Sequence, residues 1–370
     1  MKVTFVNYYY DKDIPIDKYL EKYPTIMGWS KALTDLGVKV KVYHRFNKDY
    51  SFSHYGTEHF LVEDDLGNDL KWFQNPKLFH KKIISEVQDI IHINSFRYAY
   101  QASILKRKIP STKFVIQHHA ERPGHPLKNF LLKKFTSSID GVIFSAKEIY
   151  DGWVSVGAIL NEKKFVEIME GSSNFKTDSR IETRKKKNLN GNPVLLWVGR
   201  LNENKDPLTV LKGFLKLSKN FPKAKLYMIF SENDLQAKIE SFLKQNSEIK
   251  DKVNSIGFIE YSEIQDYYNS ADYFVLGSHY EGSGFSLVEA MSCGVIPIVT
   301  DIPSFRMMTD NGNIGTLWNC GDADSFYEKA KLVISRPIEN ESEKALKFFN
   351  DNLSYPAIGR KAKLFYESLL

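Results

Sequence analysis

Residues 272–300 read DYFVLGSHYEGSGFSLVEAMSCGVIPIVT, and their order decides the fold. A β-branched and aromatic run closes near Leu276, a loop bearing Gly282 and Gly284 follows, a helix begins near Phe285, and Gly294 stops it before the next strand. That succession is a βα unit of a parallel sheet. In an open parallel sheet, the loop at the carboxyl end of a strand is where ligands bind. Glycines there let the backbone approach a ligand, and the amides of Phe285, Ser286 and Leu287 at the helix start form a site for phosphate. Glu281 and Glu289 flank the turn with seven residues between them, and the Glu289 side chain leans back toward the helix start. Alone, Glu289 is explained by a dipole contact worth roughly 0.3 to 1 kcal/mol. Beside Glu281 and two loop glycines, both carboxylates become candidate acceptors for ligand hydroxyls.

The same alternation runs outward in both directions. The first half offers the strands VTFVNY, VKVKVYH, DIIHINS, KFVIQHH, GVIFSA and FVEIM; the second offers VLLWVGR, KLYMIFS, VNSIGF, DYFVLGS and GVIPIVT. Between them lie helices such as PTIMGWSKALTDLG, which Gly37 ends, and DPLTVLKGFLKLSKN, with Asp206 as N-cap and Pro207 in the first turn. A chain of 370 residues holds two domains of ordinary size. The polar segment 172–193, closed by Asn-Gly-Asn-Pro, lacks apolar periodicity and reads as the linker and hinge. The expected domains are 1–175 and 176–352, followed by a terminal helix, 353–370, with Ile358, Leu364, Phe365 and Leu369 on its apolar face.

Composition narrows the classes. Hydrophobic residues at 42% and aromatics at 14% exclude wholesale disorder and fibrous repeats. Cys293 and Cys320 are too few for a disulfide scaffold and lack metal-ligand spacing, so a reducing cytoplasm is the expected compartment. The opening MKVTFVNYYYDKD reads as a first strand and not as a signal peptide, and no window nears eighteen uninterrupted apolar residues. Residues 1–190 carry 31 Lys+Arg against 22 Asp+Glu, whereas residues 191–370 carry 20 against 23. The basic first half suits an anionic partner, a phosphate-bearing lipid or nucleic acid, or is a solvated lysine-rich surface. The run Arg184 to Lys187 reads as solvated charge beside a linker sooner than as a nucleic-acid patch.

Arg200 and Lys205 follow the strand VLLWVG, again at a carboxyl end, where two cations could neutralise a leaving diphosphate. Asp322 and Asp324 form an Asp-x-Asp directly before an amphipathic helix, where Asp is a good cap; the expectation is catalysis without metal. His92, alternating with apolar residues, reads as a sheet histidine, and His279 as a lesser candidate than its neighbour Glu281.

On these residues the chain resembles the retaining glycosyltransferase family 4, of the group 1 glycosyl transferases in the GT-B superfamily. Glu281 and Glu289 match the family's paired-glutamate motif, and VGRLNENKD its other donor motif, with Arg200 and Lys205 as the diphosphate-binding pair. DIIHINSF and KFVIQHH resemble its first-half strand motifs, with His119 the best match to the cleft histidine; the adjacent His118 points to the opposite strand face, so one of the two packs structurally, and the sequence leaves open which of them faces the cleft. The resemblance implies an α/β GT-B fold of two Rossmann-like parallel-sheet domains facing across a cleft, the donor held by the second and the acceptor by the first. It implies transfer of a sugar from a nucleotide-diphosphate sugar to an acceptor hydroxyl with retention. A UDP-sugar is the first expectation for the donor and a GDP-sugar the second. Arg200, Lys205 and the amides after Gly284 would hold phosphate, Glu289 the ribose, Glu281 the sugar hydroxyls, and His119 would face that sugar. Phe258 and Ile259, after Gly257, are candidates to line the base and equally for ordinary core.

The chain departs from the pattern at the first-domain donor loop, where Met27 precedes a single Gly28, at Ser231, Glu232 and Asn233 in place of a glycine-rich turn, and at Glu170 where an Asn is usual. The acceptor is expected to be a saccharide or lipid-linked molecule of cell-surface polysaccharide or glycolipid synthesis, met at the inner face of an anionic membrane. No cofactor is expected. A sugar-nucleotide epimerase and a nucleic-acid-binding or nucleic-acid-glucosylating protein are the rival readings, with nucleic acid the less favoured partner.

Overall fold

In the computed structural model, which describes residues 1–232 and 234–370, the chain falls into two units: Met1–Gly171 with Tyr355–Leu370, and Ser172–Ser354. The first unit is built on eight strands in the spatial order Tyr50–His54, Thr57–Glu63, Lys39–Phe46, Lys2–Tyr10, Ile90–Asn94, Lys113–Gln117, Gly141–Phe144 and Lys164–Glu167. Every pairing is parallel except the hairpin of the first two. Residues of both parities along Lys2–Tyr10 and Ile90–Asn94 are buried, as a parallel sheet covered on both faces requires.

The helix Tyr355–Leu369 belongs to this first unit. Its buried face is Ala357, Ile358, Ala362, Phe365, Tyr366 and Leu369, whereas Leu364, expected on that face, is exposed. The sheet histidine His92 is wholly buried, which lowers its pKa to about 3 and keeps it neutral. Its Nε2 donates to Gln117 Oε1 at 3.0 Å, so Nδ1 accepts from the Tyr366 hydroxyl at 2.5 Å.

The second unit has six parallel strands in the order Val253–Gly257, Lys225–Phe230, Val194–Gly199, Tyr273–Leu276, Ile296–Thr300 and Thr316–Trp318. The expected linker is different: within 172–193 a helix, Arg180–Lys187, starts on a Ser179 cap and stops at Asn188 in left-handed conformation. Its register is fixed electrostatically. The buried Asp272 carboxylate forms an ion pair with Arg184 Nη2 at 2.7 Å and accepts from the Val194 amide at 2.7 Å. Lys186 and Lys187 reach Asp266 at 2.8 and 3.5 Å. The basic run is therefore a docking face of the second unit, and the unit boundary falls before the segment, at residues 171 and 172.

Strand order reverses direction in each sheet, between Lys2–Tyr10 and Ile90–Asn94 in the first and between Val194–Gly199 and Tyr273–Leu276 in the second. Loops at such switch points diverge and leave a crevice outside the carboxyl ends of the strands.

Candidate active site

In the second unit the two switch-point loops, 200–206 and 277–284, are laced together. The His279 amide donates to the Asn204 carbonyl at 2.8 Å, and Asn204 Nδ2 donates to the Tyr280 carbonyl at 3.0 Å. His279 Nε2 meets Asp206 Oδ2 at 3.1 Å while Asp206 Oδ1 caps Thr209. Across this lacing the Lys205 ammonium forms an ion pair with Glu281, both side chains largely screened from solvent. The approach is so close that Gly277 is required: a Cβ there would lie 2.9 Å from the Asp206 carbonyl oxygen. Gly284 has φ +54 and its Cβ would meet the Phe305 ring at 2.8 Å, so the turn into the helix Phe285–Ser292 admits no side chain without strain.

At the helix start, the Leu287 amide is bonded to the Gly284 carbonyl at 2.9 Å, so it is not the open donor expected of it. The amides of Phe285 and Ser286 lead the helix. Arg200 lies 56% exposed with Nη1 3.8 Å from Glu232, a loose contact that leaves the guanidinium able to reorient. Glu289 is held from behind: the Tyr268 hydroxyl donates to its Oε2 at 2.9 Å and Tyr261 adds a second bond. Burial raises its pKa, and the two tyrosine hydrogen bonds only partly offset that. Neither tyrosine was singled out from sequence; their spacing of seven along the helix Tyr261–Ser270 was the available signal. Phe258 is 65% exposed beyond the end of Val253–Gly257 and is thus not core, while Ile259 is half-buried. Of the departures at 231–233, Asn233 lies outside the described residues.

In the first unit the two histidines separate as the strand geometry requires. His118 is buried, stacked on Phe144 at 4.8 Å, with Nε2 donating to the Glu121 carbonyl at 2.8 Å; burial lowers its pKa. His119 instead points its Nδ1 to Glu170 Oε1 at 2.6 Å. Its main-chain amide donates to Glu121 Oε2 at 2.6 Å, and Glu121 Oε1 accepts from Ser95 Oγ at 2.5 Å and the Phe96 amide at 2.9 Å. Burial alone would lower the His119 pKa, but the Glu170 charge and hydrogen bond, with Glu121 behind, raise it. Its Nε2 has no hydrogen-bond partner among the described residues. Ser95 at φ +92 and Ala120 at φ +59 hold the turns around Glu121, strain of the kind that collects at working sites. Glu121 was not anticipated, and Glu170 was noticed only as a departure.

Gly28 is placed otherwise than expected. It sits inside the helix Pro24–Asp35, and a Cβ there would fall 2.1 Å from the Tyr355 ring, so its role is to seat that ring. Asp322 caps its helix as expected, accepting from the amides of Asp324 and Ser325 at 3.0 and 2.9 Å. Among the described residues no group of three or more His, Cys, Asp or Glu is placed to hold a metal ion, and no helix is long and apolar enough to cross a membrane.

Residues 179–348 match the family model described as Glycosyl transferases group 1. Mannosylfructose-phosphate synthase of Agrobacterium fabrum is 33% identical over 113 residues, 29% of this chain and 25% of that protein. Alpha-monoglucosyldiacylglycerol synthase of Streptococcus pneumoniae is 26% identical over 246 residues, 64% of this chain and 54% of that protein. The chain thus spans about half or less of the length of these curated relatives. Among solved structures, Anabaena HepE in complex with UDP matches with a TM-score of 0.72 over 100% of both chains at 15% identity, a likeness of fold. That fold is GT-B, with its two parallel-sheet α/β domains.

Proposed function

We propose, from the membership of residues 179–348 in the glycosyl transferases group 1 family, that this GT-B chain moves a sugar from a nucleotide-diphosphate sugar to an acceptor hydroxyl with retention at the anomeric carbon. The observation that carries the reading is the Lys205–Glu281 pair bridging the two switch-point loops, with Arg200 and the head of the helix Phe285–Ser292 beside it. Charge grows on the departing diphosphate as the bond to the sugar breaks, so groups that meet this charge lower the barrier. Lys205 and Arg200 neutralise the diphosphate, and the Phe285 and Ser286 amides complete the cradle. Glu281, already holding Lys205, accepts the donor sugar's hydroxyls, and Glu289 accepts those of the ribose. His119 serves the same reaction from the first unit, its Nε2 being a donor to sugar oxygen when the ring is charged. The acceptor's proton passes to the donor phosphate.

A UDP-sugar is the preferred donor, a choice supported by the UDP complex of the Anabaena protein, with a GDP-sugar second. A saccharide or lipid-linked acceptor of surface polysaccharide or glycolipid synthesis is supported by the diacylglycerol-directed relative. A cytoplasmic site of action at the membrane's inner face follows from that acceptor. Catalysis without metal is supported by the Asp322 carboxylate being committed to helix amides. Thermal shift with UDP, GDP, ADP and their sugars tests the donor: a ligand at 100 times its Kd stabilises by about 2.7 kcal/mol. Failure of all the nucleotides to shift the transition would refute the reading.

A further inference from the structure

Glu121 joins two βα loops of the first unit. Ile90–Asn94 and Lys113–Gln117 are neighbouring parallel strands, and main-chain bonding carries on to the Ser95 amide, 2.9 Å from the Gln117 carbonyl, and to the His118 amide, 2.9 Å from the Ile143 carbonyl. Beyond that point the Glu121 side chain takes the ladder's place. Its Oε1 accepts from Ser95 Oγ and the Phe96 amide on the loop after the first strand, and its Oε2 from the His119 amide on the loop after the second. Two turns are bent to allow it: Ser95 at φ +92 and Ala120 at φ +59 hold conformations that L side chains rarely adopt. Such strain persists only where the surroundings over-determine it.

Only a carboxylate meets these donors. Two amides and a hydroxyl converge on its two oxygens, whereas glutamine, with one carbonyl oxygen, would set its own N–H groups against either the His119 amide or the Phe96 amide. The main chain on either side of His119 is pinned as well, since His118 stacks on Phe144 at 4.8 Å and donates from Nε2 to the Glu121 carbonyl at 2.8 Å. The far end of the contact is fixed separately. Glu170, whose Oε1 lies 2.6 Å from His119 Nδ1, has its carbonyl bonded by the Trp29 indole at 2.7 Å. The strand Gly141–Phe144 lies between the strands that lead to His119 and to Glu170, so the pair bridges two strand spacings, about 9 to 10 Å. A displaced His119 main chain therefore breaks it.

We propose that Glu121 is a positioning residue for the transfer: its carboxylate clasps the two loops and holds the main chain of His119 where the ring meets Glu170. This rests on His119 serving the proposed reaction. A carboxylate that supplied charge alone would not need to bond the His119 amide, and a purely local cap would not reach the loop of the neighbouring strand. The other titratable rings beside His119, those of His92 and His118, have pKa values lowered by burial, so Glu170 and Glu121 are the groups that favour its charged form.

The test is an NMR titration of the His119 ring in the full chain carrying isotope-labelled histidine, its resonance assigned by its loss in His119→Ala. Glu170→Gln is expected to weaken proton binding by the ring about tenfold in the unaltered chain but less than about twofold in a Glu121→Gln background, the non-additivity of groups that act as one. Equal effects in the two backgrounds would mean that Glu121 acts through its charge alone and would overturn the proposal. Where calorimetry shows that Glu121→Gln does not unfold cooperatively, the same comparison in Ser95→Ala decides, since that change removes one donor to Oε1. An effect of about threefold there supports the clasp, and an undiminished tenfold effect overturns it. In turnover, on the donor identified by thermal shift, Glu121→Gln is expected to lower kcat about tenfold, to leave KM for the donor within about twofold, and to move the alkaline limb to lower pH. An unchanged kcat in Glu121→Gln where His119→Ala is inactive would overturn the proposal. An unchanged kcat in both variants would instead sink the place of His119 in the proposed reaction, and the ring titration would still decide whether Glu121 positions it.

Discussion

His119 Nδ1 lies 2.6 Å from Glu170 Oε1, and the carboxylate stands where the resembling family carries an asparagine. An amide at that position would fix the ring's orientation without charging it. The carboxylate does both, which is why the His119 pKa rises despite burial. A pKa raised in the folded state adds stability that is fully present below the unfolded value and is lost as pH rises through the folded one. Glu170→Gln is therefore expected to lower the His119 pKa, to flatten that pH dependence, and to move the alkaline limb of turnover to lower pH. Titration of the ring resonances and a pH–rate profile measure it; an unmoved alkaline limb would mean that His119 does not act as a cation.

Lys205→Ala is expected to cut turnover about 100-fold or more, in line with the loss of a group that meets developing charge. Glu281→Gln, which keeps a hydrogen-bond acceptor but frees Lys205, is expected to cost less in nucleotide binding than in turnover. Kinetics on the donor identified by thermal shift check both. A loss within about threefold, under about 1 kcal/mol, would remove these residues from the assigned roles.

The two site-candidate glycines are expected to respond in opposite ways. Gly28→Ala places a methyl group inside the Tyr355 ring and should cost about 1 to 3 kcal/mol of stability with nucleotide affinity unchanged. Gly284→Ala strains the turn at φ +54 and crowds Phe305, so nucleotide affinity should fall with it. Calorimetric unfolding and nucleotide titration of the pair separate packing from binding.

Asp272→Ala should destabilise the second unit by about 3 kcal/mol, because it strands Arg184 and the Val194 amide at a site where the carboxylate is buried. Urea unfolding measures it. A midpoint unchanged from the unaltered protein would return the run 184–187 to solvated charge.

Chelation should leave turnover intact. Full loss in EDTA, restored by magnesium or manganese, would overturn the capping account of Asp322 as the whole role of that motif.

The buried parallel strands and the two switch-point loops of the second unit were legible in the sequence because each signal is local: a β-branched run, a glycine, a cap. The hairpin Tyr50–His54 with Thr57–Glu63 was not, since its turn puts Tyr55 at φ +48 before Gly56, where asparagine or aspartate would have announced it. The helix Arg180–Lys187 was missed because nearly all of its surface is polar and its partners, Asp266 and Asp272, lie far along the chain. The same distance hid the role of Glu170. Its meaning depends on His119, fifty-one residues earlier, being brought within hydrogen-bond reach by two strands that are not neighbours. Glycine itself was ambiguous: Gly28 and Gly284 look alike in sequence, and only the ring over the first tells packing from backbone freedom.

The split make-up of the first unit also orders the birth of the molecule. Residues 172–354 form one uninterrupted stretch, so this unit can close its sheet while the nascent chain is still on the ribosome. The first unit cannot finish: His92 waits for the Tyr366 hydroxyl, and Gly141 lies bare until Phe365 arrives. A translating cell therefore holds a chain whose loops 200–206 and 277–284 are assembled before the core of its first unit is complete. A stop codon just before Tyr355 would leave a product with a finished second unit and an unsealed first one.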